Sequence, residues 1–195
     1  YGCETVEEAY GVLGAEYKTI YHEQDDEVGL NHKDLVEKSG GFYIGRYEAS
    51  YNDSVSGGRV ASKESTSTRT SRSTPLANGM LWNYVSQTEA LNKSKEMYTG
   101  ISTLLTGAAW DRTLGWLEET GVVTSLEIVG DSKTWGNYRD DEFSNTTGLI
   151  NTGEYDKTEK NHIYDLAGNL WEWITEASNT NGRVNRGRWL RPFRF

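Results

Sequence analysis

The chain is poor in the residues that build disulfide frameworks and zinc sites. It has one cysteine, Cys3, two prolines and three histidines among 195 residues. A lone cysteine cannot form an internal disulfide, so cysteine usage says little about the compartment. The histidines at positions 22, 32 and 162 lack the spacing of metal ligands.

Long apolar runs and common catalytic motifs are also missing. No apolar stretch approaches the roughly 20 residues that span a bilayer, so we expect no membrane insertion. The sequence has no P-loop, no G-x-G-x-x-G and no G-x-S-x-G, and therefore no motif for phosphate binding or for a serine nucleophile. The net charge of −9 argues against general nucleic-acid binding.

Aromatic residues and glycine, by contrast, are abundant. The chain has 7 Trp, 12 Tyr and 21 Gly, although its hydrophobic content is only 35%. We therefore expect an aromatic-rich core and many turns made with glycine. The length fits one domain, placed at residues 41–195, after an acidic N-terminal helical arm at residues 1–40. Alternatively, the arm is a helical layer of the domain itself.

The first half of this domain is predicted to contain one strand and one long loop. Aromatic and β-branched residues follow a Gly-Gly break, which predicts a strand over Gly41 to Ser50. Glu48 in this strand is expected to be a buried structural partner. Residues Asn52 to Pro75 are polar, and Ser62 to Thr74 is almost entirely Ser, Thr, Lys and Arg. This composition predicts a mobile surface loop without a packed core.

Two helices are predicted farther along. Ser86 to Glu89 reads as a capping box that opens a helix ending near Tyr98. Trp110, Leu114 and Leu117 have i, i+4 and i+7 spacing, which predicts one buried face of a second helix. Gly121 is a suitable end for that helix.

The stretch I-Y-D-L-A-G-N-L-W-E-W, Ile163 to Trp173, combines groups that rarely occur together. Asp165 and Glu172 flank a Gly-Asn turn, with a tyrosine and two tryptophans in the same few residues. Such a mixture predicts a turn with buried aromatics and grouped oxygens. This suits a hard cation or a dense hydrogen-bond network.

This stretch closely resembles the signature near the C-terminus of the formylglycine-generating enzyme (sulfatase-modifying factor) family. Residues 41–50, the W-G-N turn at 135–137, the R-V-x-R-G pattern at 183–187 and Phe193-Arg194 are also similar to family patterns. The resemblance implies an α+β fold, a variant of the C-type lectin fold. Short helices would surround small antiparallel sheets, with much irregular structure.

The resemblance also implies one structural calcium site. Carried over, its ligands are the side chains of Asp165 and Glu172 and the main-chain carbonyls of Gly168 and Leu170. Calcium takes six to eight oxygens from such groups, so the chemistry is consistent. The alternative is that Asp165 caps the turn and Glu172 bonds backbone amides, with no metal. Candidate oxygens for a second family cation site lie at residues 140–156 and cannot be ranked.

Copper chemistry is not expected. Oxidases of this family bind Cu(I) through two cysteines in a segment that lies between the R-G pattern and the terminal F-R. Soft Cu(I) needs thiolates. Here only a few residues separate those landmarks, and Cys3 lies far away in the sequence. We therefore expect no copper and no catalytic residues of that oxidase.

The leading hypothesis is a non-catalytic recognition domain. The motifs are most similar to those of lectin-fold members from bacteria and phages, some of them targets of diversity-generating retroelements. These vary the segment between R-G and F-R, so Arg186, Arg188 and Trp189 are candidate ligand-binding residues. Residues 177–195 contain five arginines and no acid, and the alternative is that they form a final strand whose arginines pair with the acidic rest of the chain.

The expected partner is a protein or glycan receptor, and the expected location is extracellular, on a cell surface or a virion. One alternative is a formylglycine-generating oxidase acting on a substrate cysteine. Another is a structural virion decoration, tail-fibre or pilus subunit, with homo-oligomers formed through the arm at residues 1–40.

Overall fold

The computed structural model describes residues 40–53, 59–97, 102–129, 134–137, 149–177 and 183–186. These ranges contain short strands, three α-helices and one 3-10 helix, which confirms the α+β class. The C-type lectin arrangement stays a prediction. Residues 1–39 of the predicted arm lie outside the described residues. None of the described helices is long and apolar enough to cross a membrane.

Four short strands form the first sheet, in the spatial order β2-β1-β4-β3. Strand β1 (Ala49–Asn52) pairs antiparallel with β2 (Arg59–Ser62) over its whole length. On its other side, β1 is antiparallel to β4 (Met80–Leu81), and β4 is parallel to β3 (Ser67–Thr68).

The strand predicted over 41–50 is wrong for most of its length, because β1 begins only at Ala49. On the N-terminal side of Ala49, hydrogen bonds to the Ser62 side chain take the place of backbone pairing between the two strands. The backbone N–H of Tyr47 donates to Ser62 Oγ at 3.0 Å, and the same hydroxyl donates to the Tyr47 carbonyl at 3.0 Å. The local composition has the right propensity, but a partner 15 residues away decides where pairing stops.

The prediction of a loop without packing over 52–75 is also wrong. Strands β2 and β3 lie in this segment, and the serine between them is buried. Ser65 N–H donates to the Thr152 carbonyl at 3.2 Å, and Thr152 N–H donates to Ser65 Oγ at 2.9 Å. The Ser65 hydroxyl accepts a hydrogen bond from a buried backbone N–H group, so a polar composition is compatible with an ordered structure.

The first helix, α1 (Gln87–Met97), begins at the predicted capping box. Ser86 N–H donates to Glu89 Oε2 at 2.8 Å, and Glu89 N–H donates to Ser86 Oγ at 3.3 Å. Gln87 is buried, and its Nε2 donates to the Ile174 carbonyl at 3.3 Å. This bond ties the start of α1 to the last sheet.

The second helix, α2 (Gly107–Glu119), also agrees with its prediction. Thr106 caps it, because its Oγ1 accepts from Ala109 N–H at 3.0 Å. Trp110 and Leu117 are buried, and Gly121 follows the helix with a left-handed φ of 72°. A short third helix, α3 (Ser125–Val129), comes directly after.

The core lies where α2 meets the second sheet. That sheet pairs β5 (Glu172–Ala177) antiparallel with β6 (Arg183–Arg186). A 3-10 helix (Asp156–Thr158) comes before Ile163, Leu166 and Ala167, which pack into the same core. The buried apolar cluster consists of Trp110, Leu117, Val123, Trp135, Ile163, Leu166, Ala167 and Ile174.

The predicted W-G-N turn packs directly against the Gly-Asn turn. Asn137 N–H donates to the Ala167 carbonyl at 3.2 Å, and Asn169 N–H donates to the Asn137 carbonyl at 3.1 Å. Between them, Gly168 has φ of 83°. A Cβ built on Gly168 would lie 2.3 Å from the Asn137 carbonyl oxygen, closer than atoms tolerate. Glycine is therefore required both by conformation and by space.

We expect Gly168→Ala to lower the free energy of unfolding by roughly 3 kcal/mol or more, because the new methyl group must push two backbones apart. Gly121→Ala is the matched control. Gly121 has φ of 72°, but a Cβ added there would meet nothing within 4 Å. It should cost only about 1 kcal/mol, the strain of left-handed alanine. If urea unfolding showed the same loss of unfolding free energy for both variants, the close approach of Gly168 to the Asn137 backbone would be contradicted.

A candidate cation site beside an aromatic cleft

Left-handed backbone shapes the turn that carries the predicted site. Asp165, Gly168 and Asn169 have φ of 60°, 83° and 53°. Asp, Asn and Gly are the residue types that adopt this conformation most readily, so the local sequence suits the turn. The turn brings Asp165 close enough to Glu172 for its charge to raise the pKa of that residue.

The Asn169 side chain is the hydrogen-bond centre of the site. It is fully buried, and its Oδ1 accepts from Asn137 Nδ2 and from Ile150 N–H, each at 3.1 Å. Its Nδ2 donates to Glu48 Oε2 and, at 3.3 Å, to the Ile150 carbonyl. One amide therefore joins three segments that lie far apart in the sequence.

Glu48, the residue just before β1, contacts the turn through its side chain. It is 6% exposed, as predicted for a buried partner. In addition to its bond with Asn169, its Oε1 accepts from Leu170 N–H at 3.2 Å. Its own N–H donates to Thr152 Oγ1 at 3.2 Å. Glu48 thus holds the backbone of the turn from outside the motif.

The two predicted carboxylate ligands each retain a buried oxygen without a hydrogen-bond partner in the described part of the chain. Asp165 is 1% exposed, and its Oδ2 accepts from Gly153 N–H at 3.2 Å while Oδ1 is unpartnered. Glu172 is the first residue of β5, and its Oε2 is unpartnered. Burying such an oxygen is costly unless a proton or a cation satisfies it.

Glu48, Asp165 and Glu172 form what we call the carboxylate cluster. Burial raises the pKa of Glu48 well above its ordinary value, and the charges of Asp165 and Glu172 raise it further, against hydrogen bonds from Asn169 and Leu170. Burial, and then the charge of Asp165, raise the pKa of Glu172 to about 8. The pKa of Asp165 is also raised, mainly by burial, although nearby hydroxyls and an amide oppose this. The cluster therefore favours protons or another positive charge.

The structure brings most of the predicted residues together. Asp165, Gly168, Leu170 and Glu172 lie within this turn and the start of β5. Arg186, the last residue of β6, lies opposite Glu172 in the strand register. The candidate ligand-binding residues Arg188 and Trp189 lie outside the described residues. Cys3, the basis of the copper prediction, lies outside them too.

The residues fit a hard cation in their chemistry. A cation at the turn would satisfy the orphaned oxygens Asp165 Oδ1 and Glu172 Oε2, and the carbonyls of Gly168 and Leu170 belong to the same turn. Within the described ranges, no group of three or more His, Cys, Asp or Glu side chains is arranged to hold a metal. The predicted site uses only two carboxylates, so this finding leaves it a prediction.

A cleft of about 250 Å³ lies beside the cluster, and sequence reasoning missed it. We call it the aromatic cleft. The segment before β1, helix α1 and the start of β5 form its walls. Tyr43 is fully exposed and Trp171 is half exposed at this cleft. Aromatic residues that line it include Tyr43, Tyr47, Trp82, Trp110, Trp171 and Trp173.

No protein-family model matches the chain, and neither a curated protein nor a solved structure is significantly similar to it. The fold variant, the calcium ligands and the recognition function drawn from the resemblance therefore remain predictions.

The carboxylate cluster predicts that stability falls as pH rises. The folded-state pKa of Glu172 is about 8, against an ordinary 4.5, so the folded chain keeps a proton that the unfolded chain releases. This stabilisation is complete below pH 4.5 and is lost as pH rises to 8. Without divalent cations, we expect the free energy of unfolding to fall by up to about 1.4 kcal/mol per pH unit in this window.

Glu172→Gln should reduce this slope, because glutamine has no proton to lose, while Glu48 and Asp165 retain raised pKa values of their own. Glu119→Gln is the control: Glu119 is exposed, and its hydrogen bond with Arg112 lowers its pKa. Its titration lies below the window, so the slope between about pH 5 and pH 8 should not change. A wild-type slope of zero or of opposite sign in urea unfolding would refute the assigned protonation of the cluster.

Proposed function

We propose that this chain is a non-catalytic recognition domain with a C-type lectin-like fold. It acts outside the cell, on a cell surface or a virion, and binds a protein or glycan receptor. The observation that carries the proposal is the aromatic cleft, where exposed Tyr43 and Trp171 stand beside a buried hydrogen-bond network. Exposed aromatics held by a rigid framework are typical of binding surfaces.

Calcium has a structural role in this proposal. The side chains of Asp165 and Glu172 and the carbonyls of Gly168 and Leu170 would hold it. Bound there, the ion would offset the negative charges of the Asp165 and Glu172 carboxylates. The unpartnered oxygens and the raised pKa of Glu172 support this assignment. Copper has no part in the proposal, since a single cysteine cannot provide two thiolates.

Calcium should therefore raise the melting temperature, and EGTA should lower it again. Binding that is restricted to the folded state stabilises by mass action, so a hundredfold excess over Kd gives about 2.7 kcal/mol. Glu172→Gln should abolish most of the shift, whereas Glu119→Gln, an exposed carboxylate on α2 far from both candidate cation sites in the sequence, should leave it intact. No calcium-dependent shift in differential scanning calorimetry would rule out the site.

The recognition function is tested by presenting labelled protein to intact bacterial cells, immobilised cell-surface proteins and glycans. Trp171→Ala should weaken saturable binding at least about fivefold, because it removes a large exposed contact at the cleft. Trp116→Ala is the matched control, since Trp116 is 39% exposed on α2 and does not line the cleft.

Conversion of a cysteine-containing peptide in the presence of Cu(I) would instead favour the oxidase. Equal binding by the wild type and both tryptophan variants would remove the cleft from the proposed function.

A further inference from the structure

The last described strand leads the chain toward the aromatic cleft. Strands β5 and β6 are antiparallel, and Arg186, the last residue of β6, lies opposite Glu172, the first residue of β5. The chain therefore leaves β6 at the end of β5 that continues into Trp171 and Leu170. Residues 170–174 all line the cleft. The residues that follow Arg186 consequently start beside this cleft.

The stretch that follows β6, residues 187–195, is long enough to cross the cleft. It lies outside the described residues and contains nine residues. An extended chain spans roughly 3.3 Å per residue, so nine residues reach about 30 Å. A cleft of about 250 Å³ is short in comparison. We call this stretch segment 187–195.

The sequence of segment 187–195 gives it an aromatic face. It reads G-R-W-L-R-P-F-R-F. Alternate side chains of an extended chain point to the same side, which groups Trp189, Phe193 and Phe195. Pro192 favours extended geometry in the residue before it. That residue, Arg191, shares the aromatic face, but its long side chain can place the guanidinium in water. The other two arginines fall on the opposite face.

The cleft offers a matching surface. Three tryptophans line it, at positions 82, 171 and 173, together with apolar side chains that include Val85, Met97, Leu104 and Leu105. Aromatic side chains bury much apolar area and pair well with other rings, and methionine adapts to irregular gaps. These contacts are apolar, so they do not depend on the protonation of the carboxylate cluster.

Charge does not oppose this contact. Segment 187–195 has three arginines and no acid, whereas the whole chain has a net charge of −9. Lys93 is the only basic residue among the described residues that line the cleft, and its Nζ lies 2.7 Å from Glu96 Oε2. Its positive charge is therefore balanced, and arginines at the rim meet an overall acidic protein.

We propose that segment 187–195 binds back into the aromatic cleft of its own chain, and that a receptor must displace it. Trp189 and Phe193 would contact the cleft walls, and the arginines would stay at the rim. Arg186 would keep its place in β6 opposite Glu172 and so fix the point from which the segment starts. A short tether gives an effective concentration on the order of millimolar, so weak contacts are enough to cover the cleft. This inference rests on the proposed recognition function and adds its regulation.

The test uses the full chain and a fluorescein-labelled peptide with the sequence of residues 187–195. The Trp189→Ala/Phe193→Ala double variant should bind this peptide at least about tenfold more tightly than the wild type in fluorescence anisotropy, because its own segment no longer competes. Trp171→Ala added to the double variant should weaken peptide binding at least about threefold, whereas Trp116→Ala should not change it. A peptide of the same composition in scrambled order controls for simple charge attraction.

A second measurement does not depend on the stability of the double variant. The photoreactive residue p-benzoylphenylalanine replaces Phe193 in the otherwise unchanged chain. Irradiation should link this position to residues that line the cleft, such as Met97, within a single chain. Mass spectrometry that found links only outside the cleft, or only between two chains, would overturn the proposal.

The peptide experiment has further outcomes that count against the proposal. Equal peptide binding by the wild type and the double variant would mean that the cleft is open, and no binding by either would mean that the segment has no affinity for it. Equal binding of the scrambled peptide would reduce the contact to charge. Each of these results would overturn the covered cleft.

The cell assay separates this inference from the proposed function. The double variant should bind cells at least about fivefold more tightly than the wild type, because its cleft is open. Weaker binding would make Trp189 or Phe193 a direct receptor contact and overturn the competition. If no variant bound cells saturably while the peptide and crosslinking results held, the proposed function would fail and the covered cleft would stand.

Discussion

The buried amide of Asn169 is the interaction on which the site depends. Its oxygen and nitrogen contact Glu48, Asn137 and Ile150, which come from three separate parts of the chain. An unmatched buried amide would cost about 1–3 kcal/mol for each missing bond, so these segments must assemble together. The turn, the W-G-N segment and the residues before β1 are therefore fixed as one unit.

The same assembly creates an electrostatic cost that links fold to function. Three carboxylates are brought together away from water, and burial raises the pKa of each. The cluster therefore favours a proton or another positive charge, and the proposed calcium ion is one way of supplying it.

Sequence reasoning succeeded where the deciding contacts are local. The capping box at Ser86 and the buried face of α2 are set by residues within two turns, and both predictions are confirmed. The α+β class was implied by the family resemblance and is confirmed, whereas the C-type lectin variant implied by the same resemblance stays a prediction.

Sequence reasoning failed where contacts with residues far away in the sequence decide the local structure. The hydroxyl of Ser62 stops the strand predicted over 41–50, and Ser65 orders a segment whose composition is typical of a loop. The motif identified Asp165 and Glu172, yet Glu48 meets Asn169 across 121 positions of sequence. No periodicity or motif in one sequence can report such a contact, and the aromatic cleft beside it was missed for the same reason.

The rim and the framework of the cleft differ in how much change they tolerate. Tyr43 is exposed to solvent, whereas Gly168 has no room for a Cβ atom and Asn169 is fully buried. Substitutions at the rim should therefore carry little penalty in folding, whereas substitutions in the framework disturb packed backbone and buried hydrogen bonds. With such a division, sequence change can accumulate at the rim while the architecture beneath it stays constant.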